Sequence, residues 1–286
     1  MRNTLLTILA ALTFAGASQA KPVFVQNNTG VYAINENKEM DFFECDSGYN
    51  YNVLSPVLSP DQERLAFVHS DRNRFDSNNP IYIVDVDWEN SEVTEYNGFE
   101  YNTIPCSNRR TIEGDIDFRN LDWGPEGNSL VVDGIDQNRN RNLYLVDVVS
   151  GRVNPLLTGE NVDSDPSWGA NNRIYFKTNR FSGQLGILDL DTGKVTAAVG
   201  ERGIICESPD CCENGIVFSA EGDIYQMGYT KGPVKLTEGD EKWNPQWGDD
   251  GFHIFYEGKY YDNVDEVFVV TSRSAPLRVT PFWDIE

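Results

Sequence analysis

The sequence predicts an all-β chain folded as a six-bladed β-propeller, its ring closed by the C-terminal strand joining the N-terminal blade. Three observations predict it. Tyr, Phe and Trp make up 12% of the 286 residues and Gly is frequent, while helical periodicity is almost absent, a composition suited to pleated strands and tight turns. A single strand–turn–strand pattern recurs along the chain at roughly 40-residue spacing, the spacing of a propeller blade. Finally, the two ends of the chain carry complementary fragments of that pattern.

Residues 1–20, MRNTLLTILAALTFAGASQA, hold one Arg, an apolar run from Leu5 to Ala15 and small residues ending Ser18-Gln19-Ala20. This is the pattern of a secretory signal peptide cleaved before Lys21. The apolar run is too short to span roughly 30 Å of hydrocarbon. No Cys stands near the cleavage point to carry a lipid anchor, and no later segment is long and apolar enough to insert in a membrane. The expectation is an exported, periplasmic protein whose residues 21–286 form one propeller domain, as a monomer.

Three strands follow the leader: VFVQ (23–26), GVYAI (30–34) and EMDFFE (39–44). No opening strand precedes them. The repeated pattern then appears as SPVLSPDQERLAF (55–67), NLDWGPEGNSLVV (120–132), DPSWGANNRIYF (165–176), SPDCCENGIVF (208–218) and NPQWGDDGFHIF (244–255). Each copy is a short strand ending in Trp or an apolar substitute, a tight turn rich in Gly, Pro, Asp and Asn, and an apolar strand. Those turn residues supply the positive φ and Asx bonding that tight hairpins need. A polar loop leads each copy into a third strand: IYIVDVD (81–87), LYLVDVV (143–149), LGILDLD (185–191), DIYQMGY (223–229) and EVFVVTS (266–272). A fourth strand follows, as in VNPLLTG (153–159) and VKLTEG (234–239). The anchors are Leu58, Trp123, Trp168, Cys211, Trp247 and Trp283, separated by 65, 45, 43, 36 and 36 residues. The long first interval is one blade plus an insertion, 97–116. The chain ends PFWDIE (281–286), an opening strand with nothing after it. Residues 281–285 beside 22–26 would complete the first blade and remove the open edges of the ring.

The repeats resemble the propeller repeats of the TolB family and the WD-repeat-like segments of prolyl oligopeptidase-type peptidases. The residues that carry the resemblance are Ser59-Pro60-Asp61, Ser70-Asp71-Arg72, Ile81-Tyr82 with Asp85, Leu143-Tyr144 with Asp147, Leu157-Thr158 and Leu236-Thr237. The resemblance implies a propeller over nearly the whole chain after the leader. TolB carries an α/β domain before its propeller, for which this chain has no room. The Gly-x-Ser-x-Gly elbow of the peptidases' hydrolase domain is absent. A stand-alone propeller is therefore expected.

A formal net charge of −22 argues against nucleic-acid or anionic-lipid partners, which need clustered Lys and Arg. The Trp anchors are expected to fill the wedges between blades, and the Asp after each Ile-Tyr-x-x motif to cap a turn. Enzyme machinery is sparse: of the two histidines, His69 is expected to enter a loop and His253 to face out from a strand. In the loop 133–142, Asp136, Asn138 and Asn140 alternate as calcium ligands would. Arg141 stands where such a loop wants Gly, however, so a solvated hairpin is favoured over a calcium site. No cofactor is expected, calcium being the weaker option, and a metal in the channel belongs to the rival enzyme reading.

Export places the five cysteines in an oxidising compartment. Cys45 and Cys106 lie on inter-blade connections one blade apart and are expected to pair. For Cys206, Cys211 and Cys212, a Cys206–Cys212 bridge with Cys211 free is one option and a vicinal Cys211–Cys212 bond another. The loops between second and third strands are long in several blades and should share one face with the insertion 97–116. That face gathers Arg72, Arg74, Arg139, Arg141, Arg180, Tyr260 and Tyr261, residue types favoured at binding sites on rigid scaffolds. The expected function is binding of a protein or peptide partner of the cell envelope, through this face or the central channel. The alternatives are a propeller hydrolase or lyase and a calcium-dependent glycan-binding module.

Overall fold

The computed structural model describes residues 23–26, 30–34, 40–45, 51–71, 78–96, 99–181, 185–198, 206–229, 232–239, 241–248, 250–259, 265–271 and 274–278. The expected leader 1–20, the terminal strand 281–285, and Arg72, Arg74, Tyr260 and Tyr261 lie outside the described residues. Among these residues the chain is β throughout apart from one 3₁₀ turn, Trp88–Asn90, and no helix is long and apolar enough to cross a membrane.

Four sheets are four-stranded antiparallel meanders, as the repeats predict. The first contains β9 (Asp117–Trp123), β10 (Ser129–Ile135), β11 (Arg141–Asp147) and β12 (Val153–Leu157). Next come β13 (Asp163–Gly169), β14 (Arg173–Thr178), β15 (Leu185–Asp189) and β16 (Lys194–Ala197). The third holds β17 (Glu207–Cys212), β18 (Gly215–Ala220), β19 (Asp223–Met227) and β20 (Val234–Lys235). The last is β21 (Lys242–Trp247), β22 (Ile254–Lys259), β23 (Asp265–Thr271) and β24 (Ser274–Arg278).

The N-terminal third forms one eight-stranded sheet. Its strands are β1 (Val23–Gln26), β2 (Gly30–Ile34), β3 (Met40–Glu44), β4 (Tyr51–Leu58), β5 (Arg64–Asp71), β6 (Ile81–Val86), β7 (Glu92–Tyr96) and β8 (Phe99–Ile112), in the order β1-β2-β3-β8-β6-β5-β4 with β7 on β8. Here the structure corrects the sequence reading. The 97–116 stretch is no loop insertion: most of it is the 14-residue strand β8. Its first half runs parallel to β3, from Asp41↔Asn102 to Glu44↔Pro105. Its second half runs antiparallel to β6, from Val86↔Cys106 to Ile81↔Ile112. Burial of Ile104 and Ile112 and cover for the otherwise open edge of β3 explain why the segment is extended.

A disulfide joins Cys45, just after β3, to Cys106, where β8 passes from one partner to the other; the Cα atoms are 4.8 Å apart and 61 residues separate them in sequence. A cross-link over a loop of that order stabilises by roughly 2–4 kcal/mol. Cys206, Cys211 and Cys212 are buried and form no disulfide, so neither second bridge is present. The register shift between Glu207 and Asp210 adds a residue to the strand and turns one face over. Cys206 therefore packs with Cys211 on the side of Tyr175, and Cys212 on the opposite side with Trp247.

The core lies between sheets rather than within one layer. Five successive clusters can be followed. Val31, Ala33 and Phe43 meet Val53, Leu58 and Leu65 between the two halves of the eight-stranded sheet. Ala66 and Ile81 then meet Phe118, Trp123 and Leu130, and Val131 and Leu143 meet Ile174 and Phe176. Tyr175 and Leu185 meet Cys211 and Phe218, and Val217 and Ile224 meet Trp247 and Ile254. The anchors Leu58, Trp123, Cys211 and Trp247 are buried in these seams, with Trp168 half-buried. The Gly that follows an anchor makes room for the next blade: a Cβ on Gly124 would lie 3.2 Å from the Trp168 ring, and one on Gly169 would lie 3.3 Å from the Cys211 Cβ.

The strands β1, β4, β9, β13, β17 and β21 contact one another in that sequence. Polar side chains stitch three of these neighbours to the next. Asp122 accepts the Trp168 amide at 2.7 Å, Ser167 Oγ accepts the Cys211 amide at 3.1 Å, and Asp210 accepts the Trp247 amide at 2.6 Å. All three occupy the position just before the anchor. Asp147 and Asp189 cap turns as expected, each accepting from the residue three positions on, Ser150 and Thr192.

Candidate functional site at the mouth of the ring

Register decides which loops share a face. The start of each inner strand lies beside the end of the second strand, in the pairs Tyr51↔Asp71, Asp117↔Ile135, Asp163↔Thr178, Glu207↔Ser219 and Lys242↔Gly258. The loops leaving the second strands therefore open at the end where the inner strands begin. That end is the mouth. The tight turns between first and second strands lie at the other.

Near the mouth each inner strand carries a bulge. Ser55, Asp165, Ser208 and Asn244 have φ of 46°, 49°, 46° and 49°, each directly before a Pro, and the register shifts around each of them. Positive φ is uncommon outside Gly and is easiest for short polar side chains. Asn120 holds the same place in β9. Every one of these residues stands three positions before its anchor.

Between β4, β9 and the β10–β11 hairpin lies a cavity of about 360 Å³ lined by Leu54, Ser55, Arg119, Asn120, Ile135 and Arg141. Arg141 is its central cation. Its Nε lies 2.5 Å from Asp133 Oδ2 and its Nη2 3.2 Å from Asp165 Oδ1. Asn120 Nδ2 donates to both acids, at 3.0 and 2.7 Å, and the Asp165 amide donates to Asp133 at 3.1 Å. The Asp133 side chain is fully buried. Burial pushes its carboxyl up to about 6, against the pull of Arg141. The network thus fixes the guanidinium at the wall of the cavity. Arg119 pairs with Asp117. Further round the mouth, Lys177 Nζ meets Glu207 at 2.7 Å and Asn244 donates to Glu257 at 3.0 Å.

Of the arginines expected to form a binding face, Arg141 lines the cavity. Arg139 is exposed at the tip of the hairpin, with φ of 65°. Arg180 lies at the mouth but is engaged by buried Asp163, through Nε at 3.0 Å and Nη2 at 2.6 Å. In the loop 133–142 both carboxylate oxygens of Asp136 accept N–H donors, from the Asn138 and Asn140 amides and from Asn142 Nδ2. This is a turn cap. Among the described residues no group of three or more His, Cys, Asp or Glu is placed to hold a metal. The histidines also differ from expectation. His69 lies within β5, buried and stacked on Tyr82 with centroids 4.4 Å apart. His253 sits in the turn before β22, its Nδ1 2.6 Å from Asp250.

Ser55, Arg119, Asn120, Asp133 and Asp165 were not singled out from sequence. The available signal was the polar residue three positions before each anchor, which the repeat alignment contains.

No protein-family model matches the chain, and no curated protein matches it. Solved structures do. TolB from Acinetobacter baumannii aligns with a TM-score of 0.60 at 16% identity, over 90% of this chain and 62% of that one. An oligogalacturonate lyase in complex with manganese aligns at 0.57 and 13%, over 87% and 70%. The β-propeller domain of the Trilobed protease from Pyrococcus furiosus, described as having an open velcro topology, aligns at 0.52 and 14%, over 92% and 93%. At these identities the likeness shows the fold alone, a TolB-like propeller. The chain spans 62% of the length of the TolB it matches.

Proposed function

We propose that the chain is an exported, periplasmic six-bladed propeller that binds a protein or peptide of the cell envelope at the mouth of its ring. The observation that carries this reading is the cavity at the mouth, whose Arg141 is held in place by buried Asp133 rather than left to solvent. A pre-positioned guanidinium on a rigid scaffold loses little freedom on binding, which favours affinity. Six blades follow if the eight-stranded sheet counts as two, β1–β3 and β4–β6 with β8. The core cluster between its halves supports that count. Residues 281–285 would then complete the first blade; the open velcro topology of the P. furiosus domain is the alternative. The leader pattern of residues 1–20 and the Cys45–Cys106 disulfide support export.

A second reading, a propeller lyase or hydrolase acting on a sugar, is favoured by the likeness to the oligogalacturonate lyase. A calcium-dependent glycan-binding module is the third. One experiment separates them: affinity capture from an envelope extract by the purified protein, with metal analysis of the same preparation. Protein binding predicts a stoichiometric envelope protein that is lost when Ile135→Trp fills the cavity. Capture of nothing, together with a bound divalent metal, would overturn the proposal in favour of the other two.

A further inference from the structure

We infer that the cavity at the mouth binds a carboxylate group. Its six lining residues include two arginines and no acid, in a chain where 45 residues are Asp or Glu and 23 are Lys or Arg. The acids nearby sit behind the arginines. Asp133 and Asp165 take Nε and Nη2 of Arg141, and Asp117 takes Nη2 of Arg119. These pairings orient the two guanidinium groups and leave further N–H donors for a ligand. Arg119 Nε is itself buried, so what Arg119 offers a ligand are the N–H groups of its terminal guanidinium nitrogens not taken by Asp117. Ser55 Oγ accepts the Leu121 amide at 3.3 Å, so its own proton can be donated to a ligand. Asn120 Nδ2 is spent on Asp133 and Asp165. The wall is therefore rich in donors, and guanidinium N–H pairs match a carboxylate in both spacing and charge. Leu54 and Ile135 supply an apolar surface for a short stem beside the carboxylate. Because the backing acids offset the cationic charge, directed hydrogen bonds rather than net field provide the selectivity.

The carboxylate could come from a peptide C-terminus or from a small organic acid, and the test separates the two. This inference deepens the reading of the mouth as a binding site and rests on it only for the place. Ligand-observed NMR would follow N-acetyl-leucyl-alanine with a free C-terminus, the same dipeptide as its C-terminal amide, and succinate, each added to the purified protein at millimolar concentration. The free acid should bind and the amide should bind about tenfold more weakly, equivalent to about 1.4 kcal/mol. Arg119→Gln should weaken the acid by a similar factor, and Ser55→Ala by less. Binding of succinate alone would assign a small organic acid, and binding of the dipeptide acid alone a peptide terminus. Equal binding of acid and amide, unchanged binding in both variants, or no binding of either carboxylate probe would overturn the inference. In the last case a partner still captured from the envelope would leave the mouth reading intact.

Discussion

Asp210 joins three inner strands. Its carboxylate accepts the amide of Cys211 beside it at 2.9 Å, the amide of Trp247 in β21 at 2.6 Å and lies 3.4 Å from Ser167 Oγ in β13. Asp122 reaches the same serine from the other side, at 3.2 Å. Burial pushes the Asp122 carboxyl up to about 6, and burial plus the charge of Asp122 pushes Asp210 up to about 7. The neighbouring thiols of Cys211 and Cys212 are themselves pushed up, by burial first and by the charge of Asp210. Both carboxyls therefore hold protons more tightly folded than unfolded. Their contribution to stability is fully present below the unfolded value near 3.8 and is lost as pH rises through about 6 to 7. The melting temperature of wild type should thus fall more between pH 5 and pH 8 than that of Asp210→Asn, which keeps an acceptor but cannot titrate. Parallel pH profiles for the two proteins would contradict this. At this scale the sequence was only partly legible. The turn caps Asp147 and Asp189 follow from local spacing, whereas Asp133, Asp163 and Asp210 are acids whose partners come from other strands. Arg180 was read as part of the binding face, and its partner went unseen for the same reason: Asp163, which holds it, is 17 residues away in sequence.

At the scale of elements, the meanders were legible because strand, turn and strand are contiguous and the pattern repeats. β10, β14, β18 and β22 fall where their apolar runs lie. β8 was not legible. Its sequence, FEYNTIPCSNRRTI, is polar for a strand: Ile104 and Ile112 are buried, and pairing with β3 and β6 holds the polar remainder. Its role depends on β3, some sixty residues earlier. The disulfide at that junction was foreseeable from the blade assignment of its two cysteines. The proposed closing strand is the remaining element. Removing residues 281–286 should lower the melting temperature by many degrees if that strand completes the first blade, because it would expose the unpaired edge of β1. A melting curve unchanged by the truncation would rule closure out.

For the whole molecule, the inner strands start at one end of the propeller, and that end collects the bulged polar residues, the β10–β11 loop and the Arg-lined cavity. The opposite end carries tight turns, with Phe252 48% exposed. Under the proposed function the two ends do different work: the inner-strand contacts near the turns brace the sheets, and the mouth presents the polar wall of the cavity. A protein that binds through its mouth must contact its partner there and not across the turns. Site-specific photo-cross-linking tests this most directly, with a photoreactive phenylalanine placed at exposed Asn138 on the mouth or at Phe252 on the far end and the protein expressed in its own envelope. The account predicts one discrete cross-linked partner from position 138 and none from position 252. The same partner trapped from position 252, with position 138 silent, would contradict it.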